Sequence, residues 1–87
     1  MENKTPTPEE ILGTIRAARD SAWVIDSTLG KENVYKEDVE SVQRNVGHLE
    51  LVMSSEHIVS SGEDLSDLTL SITEGNAFIQ ENQTLLQ

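Results

Sequence analysis

Three apolar seams with helical spacing predict an all-α chain, either an antiparallel three-helix bundle or a long helical hairpin completed by oligomerisation. The first seam is Ile11, Ile15, Ala18, Ala22, Ile25 and Leu29, and the second is Val39, Val42, Val46, Leu49 and Met53. The third is Leu65, Leu68, Ile72, Gly75, Ile79, Asn82 and Leu86. Each advances in steps of three and four, the period that keeps one face of an α-helix apolar. No hairpin turn signal competes. The expected helices cover about 7–30, 36–54 and 61–86 within one domain, 7–87, preceded by a flexible arm, 1–6.

The first helix has the strongest local signals. Thr7 suits the N-cap, Pro8 the first helical position where a missing N–H costs nothing, and Glu10 the third position that closes a capping box. Ala18 and Ala22 in mid-seam allow a neighbouring helix to approach, and Gly30 suits the C′ position after Leu29. Beside the seam, Leu12, Arg16, Arg19 and Trp23 form a second strip, with Arg19 and Trp23 spaced for a cation–π contact. Trp and Arg are enriched at interface hot spots, so this strip is the candidate surface for a partner or a second copy. It also suits the margin of a wide core stripe.

Residues 31–35 read as a connector. Glu40 and Arg44 form an i,i+4 pair on the second helix, and Gly47 stands off its seam as a surface glycine or a point of close packing. Periodicity fails at Ser54-Ser55, and Ile58 and Val59 suit a short turn plugging the bundle end. Ser60 or Ser61 is the expected cap of the third helix, with Glu63 or Asp64 favoring its N-terminus. Gly75 signals close helix approach, and Asn82 either sets register as a half-buried polar group or belongs to a solvated last turn.

Charge narrows the functional classes. The 87 residues carry 16 acidic and 6 basic side chains, for a net charge of −10. Every Lys and Arg lies at or before Arg44, whereas Glu50, Glu56, Glu63, Asp64, Asp67, Glu74 and Glu81 follow it. A phosphate-backbone binder needs a cationic footprint, so direct nucleic-acid binding is not expected. On a third helix, Glu63, Asp67, Glu74 and Glu81 form a candidate acidic face, with residues 67, 74 and 81 about 10 Å apart by helical rise. Such a face suits a basic partner, or simply keeps the chain soluble. There are no cysteines, hence no disulfide framework or thiolate metal site. No run approaches the ~18 apolar residues of a membrane span, and Met1–Pro6 has no signal-peptide pattern, so the expected setting is cytoplasmic.

Chemistry-bearing motifs are absent. Ser54, Ser55, His57, Ser60, Ser61 and Asp64 include the residue types of a serine triad, but crowd one connector without a nucleophile elbow. His48 and His57 are more than two turns apart, too far to present one helical face to a metal, and His48 is expected to face solvent. Phosphate-loop and EF-hand spacings are missing, so no catalytic residue, cofactor or metal is expected.

The stretches Asp20-Ser-Ala-Trp-Val-Ile-Asp26, Arg44-Asn-Val-Gly-His-Leu-Glu50 and Gly75-Asn-Ala-Phe-Ile79 resemble those of small helical proteins encoded by tailed bacteriophages. That resemblance covers most of the chain and implies a host-cytoplasm or virion setting and a protein that works by binding. The expected function is a non-enzymatic interaction or assembly module, self-associating or docking on a larger assembly through a protein partner. The alternative is an acidic inhibitor or nucleic-acid mimic that occupies a basic groove of a host defence protein.

Overall fold

The computed structural model describes residues 5–87, which contain helices and no strand. Of the arm expected at 1–6, the first four residues lie outside this description. Three long helices pack together: α1 (Pro8–Leu29), α2 (Lys36–Met53) and α4 (Ser66–Glu81), with a one-turn helix α3 (Glu56–Val59) between α2 and α4. A 3-10 turn (Gln83–Leu86) ends the chain and packs on α2.

The α1 boundaries follow its local signals. The Thr7 hydroxyl accepts from the Glu10 N–H at 3.2 Å, while the Glu10 carboxylate accepts from the Thr7 N–H at 3.0 Å, so both halves of the capping box form. Gly30 ends the helix without a left-handed turn, at φ −85°, so the C′ geometry expected there is not adopted. At α2, Asp38 supplies the reciprocal half of a cap by accepting from the Tyr35 N–H at 2.8 Å. Its other oxygen accepts from Lys31 Nζ at 2.8 Å. These bonds, led by the one from Lys31, hold the Asp38 carboxyl below its ordinary pKa.

The core is aliphatic. Ile15, Ile25, Val39, Val42, Leu49 and Leu68 are sealed from solvent, each contributing on the order of 1.5–3 kcal/mol through burial. Two seams shift from their expected register. On α2, Val52 is buried and Met53 only half-buried, because α3 packs back on α2 and Val52 shares a cavity wall with Ile58. On α4 the buried line is Leu68, Ser71, Gly75 and Phe78, with Ile72 and Ile79 half-buried. A helix packed against both α1 and α2 buries a stripe wider than one seam. Asn82 stands at the C-cap, half-buried, and its amide donates within its own helix to the Phe78 carbonyl at 2.8 Å.

The third long helix begins at Ser66, later than the serine signals indicate. Ser60 and Ser61 instead close α3, donating to the carbonyls of Glu56 at 2.6 Å and Ile58 at 2.7 Å. Gly62 then takes φ +86°, a left-handed conformation natural to glycine. Asp64 accepts from the Ser66 N–H at 3.0 Å and its hydroxyl at 2.7 Å, which delivers the chain into α4. Those bonds, with Arg19 close by, hold the Asp64 carboxyl below its ordinary pKa.

The two mid-helix glycines part ways. A Cβ on Gly47 would meet open space, whereas one on Gly75 would collide with Val46 Cγ2 and lie 3.4 Å from Val42 Cγ1 and 3.5 Å from Ile25 Cγ2. Gly75 is where the three long helices converge.

Candidate interaction surface

The strip on α1 is divided among different surroundings. Arg19 reaches across to α4, where its Nε donates to Asp67 Oδ2 at 3.1 Å and a terminal nitrogen donates to the Asp64 carbonyl at 3.0 Å. The expected stacking of Arg19 on Trp23 is replaced by this bridge, which offers two charge-assisted bonds in place of one ring contact. Among the described residues the cation–π pair is Lys31 over the Tyr35 ring, 5.7 Å from its centroid. Leu12 lines a cavity at the α3 end of the bundle, and Arg16 is exposed.

Trp23 is left 70% exposed, a large apolar side chain that folding does not use. It lies one turn beyond Arg19, just as Leu70, 58% exposed, lies one turn beyond Asp67. A second rung, Ser71 Oγ donating to Asp26 Oδ1 at 3.4 Å, ties the same two helices further along. Trp23 and Leu70 are thus exposed apolar side chains on the two helices that these rungs join.

The acidic face is also redistributed. Glu63 lies in the loop before α4 and lines the cavity with Leu12, so it does not share a helical line with the others. Asp67 is engaged by Arg19, while Glu74 and Glu81 remain exposed and make no ion pair among the described residues. The structure thus joins one member of each sequence-predicted set, Arg19 and Asp67, and leaves Trp23 and Glu74 exposed.

Residues of several elements meet at the α3 end. Two openings there share Ile11: one of about 340 Å³ with Ile11, His48, Leu51, Val52 and Ile58 in its walls, and one of about 250 Å³ with Pro8, Leu12 and Glu63. Of the pair expected to plug the bundle end, Ile58 is buried but Val59 is 57% exposed, because a one-turn helix turns only one of two neighbouring side chains inward. Leu51, 71% exposed, was not singled out, since a single sequence does not separate it from an incidental surface leucine. His48 is half-buried rather than solvent-facing, held through Nδ1 at 2.7 Å from the Ser21 hydroxyl of α1.

Three of the connector serines bond to the backbone. Ser54, Ser60 and Ser61 each donate to a backbone carbonyl three or four residues back, and His57 is exposed. Among the described residues no three His, Asp or Glu side chains are placed to hold a metal ion, and no helix is long and apolar enough to cross a membrane. Comparison with protein-family models, curated proteins and solved structures finds no match.

Proposed function

We propose that this chain is a non-enzymatic protein-interaction module, an antiparallel three-helix bundle that docks on a second copy or a larger assembly through the exposed α1 surface around Trp23. The observation that carries this reading is Trp23, 70% exposed, with Leu70 of α4 a further large apolar side chain left 58% exposed. A monomer gains nothing from exposing its only tryptophan, whereas the centre of an interface gains most from such a side chain. The host cytoplasm or a virion is the setting that the phage resemblance implies. The antiparallel order is supported by Ile11 and Thr14 of early α1 sharing a cavity with Leu51 and Val52 of late α2.

Light scattering across a concentration series tests self-association. The expected result is a mass that rises with concentration and falls back on Trp23→Ala. A strict monomer at high concentration, indifferent to Trp23→Ala and unable to retain any protein from the native cell, would overturn the reading.

The exposed Glu74 and Glu81 favour a second reading, in which the acidic side of α4 occupies a basic groove. Neutralising Glu63, Asp67, Glu74 and Glu81 together separates the two. Binding unchanged in strength and salt dependence eliminates mimicry, and binding abolished with Trp23 intact favours it.

A further inference from the structure

We propose that the α3 end of the bundle is a second docking site, which takes a basic amphipathic helix from a partner protein. The two openings share Ile11 and have mainly apolar walls. Leu51 in one wall and Leu12 in the other are exposed, and Val59 on α3 adds a further exposed apolar side chain. Two adjacent pockets suit two apolar anchors at i and i+3 or i+4 of a helix, the helix-in-groove mode of recognition.

Charge selects among occupants. Among the described residues the walls of both openings contain no Lys or Arg, while Glu63 lines one and Glu56 stands on α3 beside the other. Arg19 is already paired with Asp67, while Arg16, one turn after Leu12 on α1, is exposed outside the walls. A second copy of a chain of net charge −10 would bring like charge to this rim, whereas a helix with Lys or Arg flanking its apolar anchors brings opposite charge. The site does not include Trp23.

The test uses the full chain, ¹⁵N-labelled, titrated with a synthetic helical peptide that carries leucines at i, i+4 and i+7 and lysines elsewhere. A control peptide of the same charge has the leucines replaced by serine. The expected result is amide shifts centred on Ile11, Leu51 and Ile58, binding weakened about tenfold by Leu51→Ser, a loss of about 1.4 kcal/mol, and no change with Trp23→Ala. Glu63→Gln should weaken binding less and flatten its salt dependence. Leu51 is exposed, so Leu51→Ser retains the fold. Equal binding of the two peptides, shifts centred on Trp23, or indifference to Leu51→Ser would each overturn the proposal.

Discussion

Helices α1 and α4 share a core but are placed by different means. α1 begins at a complete capping box with proline at its first position, so its start is written in four consecutive residues. α4 has no side chain capping its first turn from the N-cap position, which Leu65 occupies. Its start depends on a left-handed Gly62, on Asp64 binding Ser66, and on Arg19 of α1 reaching the Asp64 carbonyl and Asp67. The contrast teaches that a helix with local start signals can be located by reading along the chain. One whose start is held by a neighbouring helix cannot.

The largest effect that sharpens this comparison is expected at the point where α4 meets α1 and α2. Gly75→Ala should destabilise by up to about 2 kcal/mol, because overpacking against Val46, about 1–3 kcal/mol, outweighs the roughly 1 kcal/mol gained in helix propensity. Gly47→Ala should stabilise by about 0.5–1 kcal/mol, since nothing stands where its Cβ would go. Urea unfolding of both variants measures the difference, and a shared sign would break the distinction between the sites.

A smaller effect is expected at the α1 cap. Thr7→Ala should cost about 1 kcal/mol and fray the first turn, seen as faster hydrogen exchange at the amides of Glu9, Glu10 and Ile11 with α4 amides unaffected. Exchange rising equally in both helices would show that the α1 start is also held by its neighbours.

The smallest effect depends on pH. Asp64 and Asp38 have pKa values lowered from 3.8 in the folded state, so each contributes stability that is present above 3.8 and is lost as pH falls through the lowered folded values. Asp64→Asn should therefore narrow the stability difference between neutral and acidic solution. The check is thermal unfolding at intervals below pH 4, and an unchanged acid slope would remove Asp64 from the placement of α4.

Much of this architecture is legible from spacing alone. The boundaries of α1 and α2, the connector at 31–35, buried Ile58 and close-packed Gly75 agree with the periodic reading. The α4 start was not legible, because Ser60 and Ser61 are equally good as caps of a following helix and as closers of a preceding one, and its seam was legible only at Leu65, Leu68 and Gly75. Their hydroxyls went to α3. Phe78 and Ile79 are neighbours that either face could bury, and packing against two helices chose Phe78. For the candidate site, the sequence identified Trp23 and Arg19 as surplus to the seam. It could not pair Arg19 with Asp67, because that bond joins residues far apart in the chain.

The sequence by itself determined that the chain is helical, where its first two long helices lie, and that it carries a net charge of −10. Those properties follow from local periodicity, capping chemistry and charge, which act within a few residues or on the whole composition. Only the tertiary structure decided that the α1 strip divides, with Arg19 committed to α4, Leu12 given to the α3 end and Trp23 left exposed. That division depends on which flank of α1 faces α4, a property of helix packing that no spacing along one helix encodes.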